Sequence, residues 1–415
     1  METDKDAKIP EAKRIELAEQ VMSQAADPYT VDQGYHNTCN VASLESRLYS
    51  KNPSAVAQMV ADIAHDGKYT TPTGVTVELP AASLEPDQEA KKPDSDDRSY
   101  ASQLFQITAV NIHYQKEGYK DANGKEYPPG AIRYEQREAK PGHPKDTGER
   151  LVDTSKKPPA VIKDADGKPI DEPFIGEDEV TGISNEITSR HDKDIVINHA
   201  DRGDNVTIAV DNEQHLKDAL AKAKADKRLP IMIVVNTQNE PFYSDSGAGS
   251  AGGSGGWHMV TVTDYDSATG KVSIDNQWGE SVDHLGKGNA VDVSELYVAM
   301  RDPEKAQSID DLKAEIASHA GKPHPVEDAE LLRRQYEQGQ ISAKELTDAM
   351  MKAGIEFYKN GTDKNASPEE RKLYRAAWGK LTDIAEKYPK EKYPQFDWDQ
   401  WSKDFLAATK AATPP

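Results

Sequence analysis

Apolar positions at helical spacing open the chain. Ile15, Leu17, Ala18, Val21 and Met22 recur within 10–26, which predicts an N-terminal helix ending at Asp27-Pro28. A second helix is expected over 40–50. A third is expected over 53–65, where Val56, Met59, Val60 and Ile63 fall at i, i+3, i+4 and i+7 before Asp66-Gly67. Residues 100–114 are apolar enough to be core. The flanking stretches are not: 83–98 is rich in Pro, Asp, Glu and Lys and reads as a solvated loop, and 115–178 turns polar again. Within it, Asp121-Ala122-Asn123-Gly124-Lys125 and Asp164-Ala165-Asp166-Gly167-Lys168 are expected hairpin turns, because neither carries the acidic ladder and terminal Glu of a calcium loop.

Regular patterning returns at 205–210, an alternating strand, and at 212–225, a helix with Leu216, Ala219, Leu220 and Ala223 on one side. The run Pro230-Ile231-Met232-Ile233-Val234-Val235 is short, continuous and bounded, so it predicts a buried strand; 257–265 and 271–277 then form a hairpin around Ser267-Ala268-Thr269-Gly270. Beyond Arg301 the strand patterns stop. Ser308-Ile309-Asp310-Asp311, Ser342-Ala343-Lys344-Glu345 and Ser367-Pro368-Glu369-Glu370 each pair a hydroxyl cap with an acid three residues on, and about four helices are expected over 309–409.

At 415 residues the chain is long enough for two or three domains. Its formal charge of -21 would be repelled by nucleic acid and by an anionic membrane, so neutral or basic substrates and partners are favoured. No apolar run reaches the length of a membrane span, and Met1-Glu2-Thr3-Asp4-Lys5-Asp6 is unlike a secretory leader, which makes a cytoplasmic location the default expectation. The single cysteine excludes an intrachain disulfide.

That cysteine, Cys39, sits in Gln33-Gly34-Tyr35-His36-Asn37-Thr38-Cys39-Asn40, where a loop meets the expected start of a helix. A helix N-terminus favours the thiolate, the form in which a thiol attacks a carbonyl. An imidazole is needed to complete the ion pair and protonate the leaving amine, and His258 at the start of the 257–265 strand is the candidate. Asn276 can hold that ring from its far side, Trp278 can shield the bond from water, and the Gln33 amide with the Cys39 backbone N–H can face a developing oxyanion. The cluster His191-Asp192, His199 and Asp201 to Asp204 matches no metal-ligand spacing and reads as solvated loop. The Gly/Ser-rich run 246–256 is either a flexible connection or a rim over the site.

The Gln-Gly-to-Cys run and the later His and Asn-x-Trp-Gly elements resemble those of the papain-like cysteine peptidases, calpain-type members included. The resemblance covers about 33–49 and 212–279, and the chain order Cys, His, Asn agrees with it. It implies Gln33 as oxyanion donor, Cys39 as nucleophile, His258 as base and Asn276 as orienter, acting on a polypeptide substrate; no cofactor and no metal are expected. Asn40 stands where an aromatic residue is common, and His36 stands where the family has a disulfide partner. The 219 residues separating Cys39 from His258 require an insertion outside the shared core, at about 83–205.

The expected architecture is α+β: a papain-like catalytic domain over 1–303, with an N-terminal helical lobe, an antiparallel β-rich second lobe and the polar insertion, followed by an α-helical domain over 304–415. The expected activity is thiol-dependent hydrolysis of peptide bonds. The same residues would serve an amidase, deamidase or acyltransferase. A different class of reading is a catalytically silent relative that binds peptide while the C-terminal helices recruit a protein partner.

Overall fold

Pro10 immediately precedes α1 (Glu11–Ala26). α2 (Cys39–Lys51) and α3 (Pro53–Asp66) follow, the latter with Pro at its first position and left-handed Gly67 closing it. The structure, a computed structural model, describes residues 6–93, 96–121, 124–137, 147–164, 166–200, 207–239, 241–242, 256–279, 289–301, 313, 325–337, 341 and 343–387. The chain divides into two units, 1–242 with 255–301, and 243–254 with 302–415. It is a mixed α+β protein.

In the first unit, the hairpin of β1 (Lys68–Thr70) and β2 (Thr76–Glu78) leads to α4 (Tyr100–Lys116). α4 is buried on every side, from Tyr100 through Ile112, which accounts for its lack of a polar face. Next come the β3 (Tyr119–Lys120) and β4 (Glu126–Tyr127) hairpin and a three-stranded meander of β5 (Ile132–Gln136), β6 (Glu149–Asp153) and β7 (Ala160–Val161). At both expected turns the flanking described residues pair across the hairpin. The Asp121 carboxylate accepts from the Lys125 N–H at 2.9 Å, and Asp164 accepts from the N–H groups of Asp166 and Lys168 at 2.9 and 2.8 Å.

α5 (Glu177–Thr188), β8 (Val196–His199), β9 (Ile208–Val210), α6 (Glu213–Ala225), β10 (Ile231–Asn236), β11 (Trp257–Asp266), β12 (Lys271–Asp275), β13 (Ala290–Asp292) and α7 (Val293–Ala299) complete the unit. Their strands form one six-stranded sheet in the order β13-β12-β11-β10-β8-β9, antiparallel up to β10 and parallel beyond it. β10 is apolar from Ile231 to Val235 because both of its faces are covered. Met232 and Val234 point into a core built from α1 to α5. Ile231, Ile233 and Val235 point into a second core closed by α6 and α7.

One expectation is corrected here. The stretch 83–98 is not wholly solvated: Ser83, Leu84, Asp87, Ala90 and Arg98 are buried, and Asp87 and Arg98 meet charged partners inside the protein. As expected for 100–114, α4 belongs to the core, and α5 and Val196 of β8 join it. The sequence reading passed over β8 because its apolar run is only Ile195-Val196-Ile197 between the polar neighbours Asp194 and Asn198.

The second unit contains α8 (Pro325–Glu337), α9 (Ala343–Thr362) and α10 (Pro368–Lys387), packed through Ala329, Leu346, Met350, Phe357, Tyr374, Ala377 and Leu381. The Ser367 hydroxyl accepts from the Glu370 N–H at 3.0 Å, as its capping pattern predicts. The helix start at Ser308, any helix past 387, and the Gly/Ser run up to 255 lie outside the described residues. No helix among the described residues is long and apolar enough to cross a membrane.

Candidate active site

Cys39 is the first residue of α2. The preceding Thr38 makes no side-chain cap, and its hydroxyl donates instead to Gln106 Oε1 at 2.7 Å, leaving the first-turn N–H groups without a capping side chain. α2 is fixed against β11 and β12 by buried polar contacts. Ser43 Oγ reaches the Met259 carbonyl at 3.0 Å and Gln277 Oε1 at 2.7 Å, and Ser46 Oγ donates to Asp275 Oδ2 at 2.9 Å. On its other side, Glu45 accepts from Ser102 Oγ and Gln106 Nε2 at 2.9 and 3.1 Å, and burial pushes its carboxyl up to about 8 against those bonds. Directional links on both sides set how far α2 slides along the sheet, and so where the thiol sits.

The β11–β12 register pairs Thr261 with Asp275 and Val262 with Ile274. Continued past the end of β12, it places Trp278 opposite His258 and Asn276 on the same-face diagonal. The contacts follow. His258 Nε2 meets Asn276 Oδ1 at 2.8 Å, and the Trp278 ring stacks on the imidazole with centroids 4.2 Å apart. Asn276 is fully buried, and its Oδ1 also accepts from the Trp278 N–H at 3.3 Å. With Nε2 committed to Asn276, Nδ1 is the ring nitrogen left for chemistry.

Cys39 and His258 line one cavity of about 290 Å³ together with Asn37, Asn40, Glu172, Phe174 and Trp257. The thiol donates to Asn40 Oδ1 at 2.9 Å, and Asn40 Nδ2 donates in turn to the Ile175 carbonyl. Burial pushes the Cys39 thiol up to about 11, against backbone N–H groups of Met259, Asn40 and Cys39 itself, and Glu172 adds to the rise. Burial also draws His258 down to about 4, against its bond to Asn276. Both groups rest neutral at pH 7, so the thiolate expected from the helix N-terminus is not the resting state. Desolvation of the anion outweighs the helix end.

Gln33 does not line this cavity. Its backbone N–H donates to the Gln277 carbonyl at 2.9 Å and its Nε2 to the His36 carbonyl at 2.7 Å, folding 33–36 into a turn through left-handed Gly34. A Cβ at Gly34 would fall 2.0 Å from Glu89 Oε2, so glycine is required there on two counts.

The turn is clamped by a buried ionic cluster that the sequence reading did not find. His36 Nδ1 meets Glu149 Oε2 at 2.9 Å, and its Nε2 meets Asp87 Oδ2 at 3.1 Å and Glu89 Oε2 at 3.4 Å. Arg98 Nη2 donates to Asp87 and Glu149 at 2.8 and 2.7 Å, and the Tyr134 hydroxyl donates to Glu149 at 2.8 Å. Burial and Arg98 act to discharge His36, but Glu149 and Asp87 outweigh them and hold it up to about 10. His36, Asp87 and Glu149 have the closeness of a metal-binding group, yet an imidazolium and a guanidinium already supply the positive charge between these carboxylates. His199, in the stretch read as solvated loop, is buried and meets the Tyr297 hydroxyl at 3.1 Å.

The sequence reading also missed Asn40 as thiol partner, and Glu172, Phe174 and Trp257 as cavity wall. Adjacency to Cys39 and His258 was a usable signal for Asn40 and Trp257; none existed for Glu172 and Phe174, which lie in the polar stretch. No family model matches this chain, and no curated protein and no solved structure matches it either.

Proposed function

We propose that the chain is a papain-like thiol hydrolase of peptide bonds. The observation that carries this reading is the convergence on one cavity of a cysteine at an uncapped helix start and an imidazole fixed by a buried amide under a stacked indole. The helical core ahead of an antiparallel sheet portion, with the nucleophile on the first and the base on the second, agrees with the two-lobe architecture of that family.

The reaction starts from the neutral pair. As substrate fills the cavity, the Cys39 proton passes to His258 Nδ1 while Sγ bonds to the carbonyl carbon and the carbonyl electron pair moves onto oxygen. The first-turn N–H groups of α2 face the oxyanion. Collapse breaks the C–N bond, the amine leaves with the proton from the imidazolium, and a thioester remains. Water then gives a proton to His258, attacks the thioester and releases the acid, returning the thiol. Asn276 keeps the ring in the plane that serves both proton transfers.

The engagement of Gln33 Nε2 by the His36 carbonyl and the neutral resting thiol favour the second reading, a silent peptide-binding site. Incubation of a diverse peptide pool with wild type and Cys39→Ala, read by mass spectrometry, separates the two. New termini with wild type alone support hydrolysis; peptide retention by both proteins with no new termini overturns it.

A further inference from the structure

The thiol cavity carries charge of one sign. Besides Cys39 and His258, its titratable lining residues are Glu172 and Glu177, with no lysine or arginine among them. Glu177 accepts a hydrogen bond from Asn198 Nδ2 at 3.3 Å. Glu172 has neither a hydrogen-bond donor nor a cation beside it among the described residues; partial burial and neighbouring Asp171 both hold its carboxyl above the ordinary range. An acid in this setting gains from any cation brought to it.

The wall that carries Glu172 is held in place. The Tyr114 hydroxyl donates to the Pro173 carbonyl, Asn40 Nδ2 to the Ile175 carbonyl, and the Gly176 N–H donates to Glu179 Oε2 at 3.0 Å. Between these anchors Phe174 takes the left-handed region at φ 48°, uncommon for an aromatic residue, and leaves its side chain outward. Phe174, whose ring stacks on Tyr119 with centroids 6.1 Å apart, is 47% exposed and Trp257, beside the base, is 39% exposed, so two partly exposed aromatic side chains line the cavity together with the acid. Aromatic faces beside a carboxylate suit the long apolar stem and charged tip of arginine or lysine.

We propose that Glu172 is a specificity-determining residue, taking the cationic side chain of an extended peptide substrate that lies against Phe174 and Trp257 next to Cys39. The inference deepens the thiol-hydrolase reading and rests on it. Glu172 acts against negative charge on Cys39. A substrate cation neutralises it at the moment sulfur becomes anionic, so the same contact that selects the substrate also eases the attack. The formal charge of -21 draws such substrates toward the protein from a distance.

The test uses the full chain and peptide chloromethyl ketones that differ only in carrying Arg, Gln or Glu at each of the two positions nearest the electrophile. Cys39 labelling is timed by intact mass, with iodoacetamide as the uncharged control. Wild type should react roughly tenfold faster with the Arg peptide than with the Gln peptide, and slowest with Glu. Glu172→Gln should erase the preference and Glu172→Lys should reverse it, while iodoacetamide labels both variants at least as fast as wild type. An Arg-to-Gln ratio near one in wild type, or one unchanged in both variants, overturns the role of Glu172. Failure of every reagent to label Cys39 overturns the thiol reading itself, and this inference with it.

Discussion

Replacing His36 by Gln tests the ionic clamp behind the nucleophile. The imidazole is 2% exposed as a residue and faces carboxylates through both nitrogens, so both must carry protons. Its rise from 6.5 to about 10, at about 1.4 kcal/mol per pKa unit, converts to about 5 kcal/mol. That agrees with the roughly 3–5 kcal/mol lost when one partner of a buried pair is removed. Because the folded value is raised, this contribution is complete below 6.5 and is lost as pH rises through about 10. The deficit of His36→Gln should therefore be about 5 kcal/mol at pH 6 and shrink to about 1 kcal/mol by pH 9. The held-down carboxylates of Asp87 and Glu149 are ionised at both values and cancel in the comparison. Urea titrations read by hydrogen exchange of α4 peptides report on the first unit alone. For a slope of about 3 kcal/mol/M the midpoint should fall by about 1.5 M at pH 6. A loss below about 1 kcal/mol at pH 6, or equal losses at both pH values, would refute the charged clamp.

Three further outcomes are expected. With the thiol held near 11, iodoacetamide labelling of Cys39 should climb about tenfold per pH unit from pH 7 to 10; a plateau already reached at pH 7 would mean a resting thiolate. Asn276→Ala frees the His258 ring and should lower peptide cleavage roughly 10²-fold, the residue of activity disappearing when Cys39→Ala is added; undiminished cleavage would remove Asn276 from the machinery. A chain ending at Pro303 should keep the circular dichroism and cooperative unfolding of the first unit, since the division between units falls at Arg301; an unfolded product would show that the later helices complete it.

Local pattern made much of the fold legible. α3 announces itself by four apolar positions and a closing glycine, β10 by an unbroken apolar run, and the β11–β12 hairpin by its turn. The hairpin register also carries part of the site, because residues 258, 276 and 278 lie within one short loop of chain and strand pairing alone brings them to one face. Cys39 was reachable through residue types at a familiar spacing. In each case the information sits within a few residues, where backbone geometry turns sequence order directly into position.

Long-range assembly decided the rest. Asp87, Glu89, Arg98 and Glu149 read as solvated charges because in sequence a charge shows its polarity and not its partner; only the meeting of these carboxylates with Arg98 and His36 makes the burial of the cluster tolerable. Glu172 became part of the thiol cavity because Asn40 and Tyr114 hold its segment there, and neither is near it in sequence. The resting protonation of Cys39 and His258 likewise follows from packing. The helix start that favours a thiolate is written in the sequence, but the desolvation that outweighs it exists only once the two cores close around the sheet.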